Sequence, residues 1–132
     1  MKIGIIGAGK VGCSIGKYLT EHDFSVAGYC SKSRKSVEEA ATFTNTKACD
    51  SLAELVAEST ILFLTTPDGA LESVWNELKK ESIQNKIVCH FSGSLSSDLF
   101  SNREEYGVSA ASFHPMYAFS DKFTSYRQLN TA

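Results

Sequence analysis

Hydrophobic positions along the chain switch repeatedly between short unbroken apolar runs and segments of helical period. Lys2 to Ile6 is nearly all apolar, the pattern of a strand buried on both faces. Val11, Ile15, Tyr18 and Leu19 then recur at i, i+4, i+7 and i+8, which is one face of an amphipathic helix. Phe24 to Cys30 reads as a second strand, and the capping box Ser36-Val37-Glu38-Glu39 predicts a helix starting there. Lys47 to Cys49 is a candidate short third strand, and a second capping box, Ser51-Leu52-Ala53-Glu54, opens a short helix. Thr60 to Thr66 carries the strongest strand signal and ends in the turn residues Pro67-Asp68-Gly69. Leu71, Val74, Trp75 and Leu78 follow as a helical stripe. A strand from Lys86 to Phe91, the loop Ser92-Gly93-Ser94, a helical turn from Ser97 to Phe100 and a sixth strand from Val108 to Phe113 complete the alternation. Residues 116–132 are polar and aromatic without clear period, and are expected to be a tail or the start of a linker.

Strands alternating with helices predict an α/β fold, a doubly wound and mainly parallel sheet covered on both faces, as a single domain over residues 1–115. A chain of 132 residues, 42% hydrophobic and 21% charged, has the length and balance of one such domain. A net charge of −2 points away from nucleic acid and anionic membranes as partners. The cysteines Cys13, Cys30, Cys49 and Cys89 form no CxxC pair, and no histidine stands at zinc spacing from two of them. Free, reduced, mostly buried thiols and no metal site are therefore expected, in keeping with a reducing compartment. The run Met1 to Gly7 is too short to span a bilayer and leads into a glycine turn where a signal-peptide cleavage site would stand, so the cytoplasm is the expected location.

The turn Gly7-Ala8-Gly9-Lys10-Val11-Gly12 follows a buried strand and opens an amphipathic helix, the context that makes a GxGxxG sequence informative. Gly7 permits the tight turn, Gly9 leaves room for a pyrophosphate against the backbone, and Gly12 lets helix and strand pack closely. The helix N-terminus adds unpaired N–H groups and a positive dipole end. These features identify a Rossmann-type dinucleotide site. The end of the second strand selects the cofactor. An NAD-preferring site places Asp or Glu about 20 residues beyond the glycine loop, to hold the ribose 2′-hydroxyl. Here the segment Tyr29-Cys30-Ser31-Lys32-Ser33-Arg34-Lys35 has no acid and three cations. Lys32 and Arg34, with the hydroxyls of Ser31 and Ser33, suit a 2′-phosphate, so NADP(H) is the expected cofactor.

Three further strand ends should face the same edge. Thr65-Thr66-Pro67-Asp68 either lines the ribose and nicotinamide side or caps its turn. In Cys89-His90-Phe91-Ser92-Gly93-Ser94, Gly93 lets the backbone pass near a ligand and Ser92 or Ser94 can bond a substrate oxygen. His90 lies within the strand and reads as structural. His114, at the end of the last strand, either protonates a substrate or is a hydrogen-bonded loop histidine. His22 suits the C-terminus of the first helix, and Trp75, Phe43 and Phe63 read as core.

Together, the glycine loop, Thr65-Thr66-Pro67-Asp68, the run His90-Phe91-Ser92-Gly93-Ser94-Leu95-Ser96-Ser97 and Ser112-Phe113-His114-Pro115-Met116 resemble a Rossmann-like oxidoreductase family that carries an uncharacterised helical C-terminal domain. That family is related to pyrroline-5-carboxylate reductases, prephenate dehydrogenases and β-hydroxyacid dehydrogenases. The resemblance runs from residue 1 to about residue 120. It implies an NADP-binding domain of an oxidoreductase that moves a hydride to or from a small carbonyl or imine substrate. It places Ser92 and Gly93 beside the substrate, and maps a strand-end His-Pro pair onto His114 and Pro115. Family members continue into a helical domain that closes the cleft and supplies dimer contacts, whereas this chain stops at Ala132. A homodimer, or contact with such a domain, is the expected association. A non-catalytic NADP(H)-binding or sensing module acting through a protein partner is the alternative expectation.

Overall fold

A computed structural model describes residues 1–91 and 100–112 of the chain. Nine elements follow one another among these residues: β1 (Ile3–Ile6), α1 (Lys10–Glu21), β2 (Val26–Cys30), α2 (Arg34–Thr44), α3 (Leu52–Glu58), β3 (Ile61–Leu64), α4 (Asp68–Leu78), β4 (Ile87–His90) and β5 (Ser109–Ser112). The strands form one five-stranded sheet in the order β2-β1-β3-β4-β5, with every neighbouring pair parallel. The order reverses between β1 and β3, and this is where an open α/β sheet leaves a crevice beyond its strand ends.

β1, inside the sheet, is short and fully buried because both of its faces are covered. Ile3 and Ile5 pack with Cys13, Tyr29, Val37 and Ala40, which belong to β2, α1 and α2. Ile6, one position out of phase, joins Leu62, Leu64, Leu71, Trp75 and Leu78 on the opposite face. Trp75 is fully buried, donates from its indole nitrogen to Ser101 O at 2.9 Å and meets Phe100 edge-on at 5.3 Å. Phe43 and Phe63 pack at the edge of the first cluster. His22 caps α1, its Nδ1 donating to Tyr18 O at 2.8 Å. None of the four cysteines is in a disulfide; Cys13 and Cys49 are buried and the other two half-buried. Burial pushes the thiols of Cys49 and Cys89 up to about 11, so both stay protonated at neutral pH. No helix among the described residues is long and apolar enough to cross a membrane.

Two local expectations are corrected. The segment Lys47 to Cys49 forms a single parallel bridge, Tyr29 to Ala48, in place of a third strand. Tyr29 N donates to Lys47 O and Cys49 N donates to Tyr29 O, both at 2.9 Å. Between the left-handed cap of α2 at Asn45 and the N-cap of α3 at Ser51, only Ala48 takes a ladder position beside β2. Placed beside β2, the bridge still completes the six-position order of the doubly wound dinucleotide fold. The second correction concerns α2, which starts at Arg34 and not at Ser36. Only Ser36, three residues before Glu39, meets the full capping box, yet Ser33, nearer the strand end, takes the role by accepting from Ser36 N at 3.3 Å. Ser51 caps α3 as its sequence predicts, accepting from Glu54 N at 3.2 Å.

One joint binds α1 to β2. The Tyr29 hydroxyl, fully buried, donates to Gly12 O at 2.7 Å. It lies against Gly16, where any Cβ would overlap the Tyr29 hydroxyl oxygen and stand 2.9 Å from the ring carbon bearing it. Gly16→Ala should therefore lower stability by about 1–3 kcal/mol, the usual cost of overpacking. Tyr29→Phe in the same chain should recover part of that loss, because it removes the overlapping atom. A double-mutant cycle in urea checks this, and strict additivity would count against the joint.

Candidate functional site

The site begins where β1 runs out. Gly7 turns the chain with φ of 112°, a conformation side chains rarely adopt, and its N–H donates to Cys30 O at 2.8 Å. A Cβ at Gly7 would stand 2.7 Å from Thr65 Oγ1, and one at Gly12 would overlap Gly7 O. A Cβ at Gly9 would meet nothing within 4 Å. Two of the glycines thus let the backbone close on itself, and the third faces open space. Gly9 is also the N-cap of α1 and has no side chain to close the helix end. The first helical bond of α1 is Cys13 N to Gly9 O at 3.0 Å, so the N–H groups of the first turn lie ahead of it.

Thr65, at the end of β3, closes the other side. Its N–H donates to Ile6 O at 2.8 Å, and its hydroxyl lies 3.1 Å from Ile6 O and 3.0 Å from Gly7 O. The Thr65 side chain thus ties β3 to the glycine loop, and the residue also lines a cavity there. Thr66 differs, because its Oγ1 is buried and has no hydrogen-bond partner among the described residues. A buried hydroxyl left unpaired costs about 1–3 kcal/mol, which a polar ligand or a water would relieve.

These strand ends border two adjoining cavities. One, of about 400 Å³, is lined by Gly7 to Val11, Ser31, Thr65, Thr66 and Pro67, together with Ser36 and Phe91. The other, of about 410 Å³, shares Ser31, Thr66 and Pro67 and extends past Cys30 and Lys32 to Asp50, Leu52, Ala70 and Val74. Of the residues singled out in the sequence, Gly12 packs beneath the first cavity and Lys32 borders the second. Ser33 caps α2, and Arg34 lines neither cavity but pairs with Asp50, which lines the second. His90 is fully buried with its ring 5.6 Å from Phe100, as a structural histidine would be. Ser92 and His114 lie outside the described residues, as do residues 116–132.

Asp50 is the residue that sequence inspection missed. The segment after β2 carries no acid, yet folding brings Asp50 Oδ1 within 3.2 Å of Arg34 Nη1 and Glu38 Oε1 within 3.1 Å of Arg34 Nε. Arg34 Nη1 also donates to Cys49 O at 3.2 Å. A signal was present: Lys47 to Cys49 read as a strand, and the rule that strand ends face the site extends to the residue after it. A second charged group lies nearby. Ligand atoms of Cys49, Glu54 and Glu58 come within 4.8 Å of one another. Lys47 Nζ already sits among them, 2.9 Å from Glu54 and 3.2 Å from Glu58. Its hydrogen bond holds the Glu54 carboxyl below the usual range and raises Lys47 above the usual lysine value.

A family model described as the Rossmann-like domain matches residues 1–115. No curated protein matches the chain. Among solved structures, a candidate NADP oxidoreductase from Bacteroides fragilis superposes with a TM-score of 0.75 at 22% identity, over 90% of this chain and 45% of that one. The imine reductase of Myxococcus stipitatus in complex with NADP+ gives 0.72 at 17% identity, over 89% of this chain and 42% of that one. An imine reductase from Bacillus cereus gives 0.72 at 13% identity, over 98% and 50%. At these identities the likeness is one of fold, and the chain spans half or less of the length of each.

Two outcomes follow from the glycine geometry and the lysine cluster. Gly12→Ala should lower the melting temperature by several degrees, while Gly9→Ala, with φ of −87° and open space ahead, should leave it unchanged or raise it. Equal losses at both positions would remove the distinction. The depressed Glu54 carboxyl favours the folded state above the usual carboxylate range, and that contribution is lost as pH falls through its folded value. Acid titration of stability should therefore be shallower in Lys47→Met, by a small margin, because the pair is exposed and screened.

Proposed function

The chain belongs to the Rossmann-like domain family, and on that premise we propose that it is the NADP(H)-binding part of an oxidoreductase, moving a hydride to or from a small carbonyl or imine substrate. The observation that carries this is the open glycine loop at the point where the sheet order reverses. There Gly9 keeps a crevice clear at the N-terminus of α1.

The residues suit a dinucleotide. Backbone N–H groups of Lys10 to Gly12 face a pyrophosphate with the positive end of the α1 dipole behind them. The second cavity offers Leu52, Ala70 and Val74 to an adenine ring, with Lys32 and Ser31 at its rim. Lys32 and Arg34, with the cap of α2 at Ser33, provide cations and N–H groups for a 2′-phosphate. Thr66, shared by both cavities, has an unpaired hydroxyl beside the path between them. When bound, the nicotinamide ring supplies the hydride chemistry, and the protein contributes binding, orientation and electrostatics. Ser92 and His114 are proposed to meet the substrate, Ser92 by a hydrogen bond to its oxygen or nitrogen and His114 by donating a proton. The named likenesses to imine reductases and to an NADP oxidoreductase favour the same class of reaction.

Titration calorimetry with NADPH and NADH tests the proposal directly. NADPH should bind more tightly, and failure of both dinucleotides to bind would refute it. Arg34→Ala should weaken NADPH by about 1.5–3 kcal/mol, the value of a hydrogen bond to a charged group, and leave NADH nearly unchanged. The pairing of Arg34 with Glu38 and Asp50 places the expected effect at the lower end. Equal weakening of both cofactors would remove Arg34 from the 2′-phosphate site.

A further inference from the structure

We propose that Asp50 tunes the preference between the two dinucleotides, opposing a 2′-phosphate at Arg34 and accepting the hydrogen bond of a free ribose 2′-hydroxyl. This rests on the dinucleotide binding proposed above and deepens it. By sequence, the end of β2 is purely cationic. In the folded chain Arg34 pairs with both Asp50 and Glu38, and Lys32 lines the second cavity together with Asp50, so two acids offset part of the local positive charge.

The two acids are not equivalent. Glu38 lies one turn into α2 and borders neither cavity. Asp50 lines the second cavity with Ser31 and Lys32, and its backbone is fixed from both sides. Cys49 N is bonded to Tyr29 O at the edge of β2, and Ser51 caps α3 directly after it. The Asp50 carboxylate can rotate, but it remains beside the Arg34 guanidinium.

A 2′-phosphate carries a charge of about −1.5 to −2 at neutral pH. To reach Arg34 it must draw the guanidinium away from Asp50 and then sit close to that carboxylate. The Arg34–Asp50 pair is weak enough to open, since its side chains are 52% and 81% exposed. Repulsion between the carboxylate and the phosphate persists after opening. A free 2′-hydroxyl meets no such repulsion and finds an acceptor-only carboxylate, the group that holds it in NAD-preferring members of this fold. Asp50 supplies that group from a neighbouring segment instead of from the end of β2 itself.

Titration calorimetry of wild type, Asp50→Asn and Asp50→Ala with NADPH and NADH decides the matter. A carboxylate beside the phosphate costs NADPH about three- to tenfold in affinity once salt screening is included. Both variants should therefore bind NADPH about three- to tenfold more tightly. The gain should shrink as salt is raised, and NADH should bind more weakly than to wild type. A preference ratio unchanged in both variants, with wild-type NADPH binding intact, would overturn the role of Asp50 and leave dinucleotide binding standing. Failure of wild type to bind either dinucleotide would overturn both. Asp50 is among the most exposed side chains of the site, and thermal melting of each variant confirms that the fold survives.

Discussion

Gly7 is held at a φ of 112° with Thr65 Oγ1 2.7 Å from where a Cβ would be, and the rest of the site depends on that closeness. β1 must stop there, because the backbone turns away from the sheet. α1 must start within reach, because Gly12 lies directly on Gly7 O. β3 must end level with both, because the Thr65 hydroxyl is shared between Ile6 O and Gly7 O. One contact among three backbone segments thus fixes where two strands end and where a helix begins. The crevice is what remains in front of that contact, and Gly9 keeps it clear.

A second contact carries this geometry outward. Tyr29 spans the sheet edge: its backbone takes the bridge at Ala48, and its side chain bonds Gly12 O inside the first turn of α1. Burial keeps the phenol protonated, so it acts as a donor across the accessible pH range. The glycine loop and the segment holding Asp50 are therefore attached to the same residue from opposite sides. The two cavities adjoin because Tyr29 sets the separation of the elements that line them.

Much of this was legible from sequence, and for a common reason. β1 and β3 are apolar on both faces, so their residues stand out whatever the neighbours are. The glycine loop is legible because only glycine fits Gly7 and Gly12, and the demand is local. What escaped detection depends on distance along the chain. Lys47 to Cys49 lies between the caps at Asn45 and Ser51, and only Ala48 pairs with β2. Ser36 carries the full capping box and Ser33 only the capping serine, and the position of the β2 end gives the cap to Ser33. Arg34 looked like an unopposed cation because its nearest acid by sequence is Glu38, on the following turn. Its second partner, Asp50, arrives only when the bridge to Tyr29 forms.

That last case bears on how charge near a strand end should be weighed. A basic cluster at a helix N-terminus works against the helix dipole unless an anion meets it. At Arg34 the folded chain supplies its own anions, Glu38 by helical spacing and Asp50 through the sheet edge. The cations can then be carried without a ligand, at the cost of some attraction for one. A site balanced this way binds a phosphate by exchange: one anion displaces another, and the net gain is smaller than the bare number of cations suggests. Discrimination between NADPH and NADH then depends on how firmly the internal anion is held as much as on how many cations surround the phosphate. The hydrogen bond from Cys49 to Tyr29 and the cap at Ser51 are what hold it.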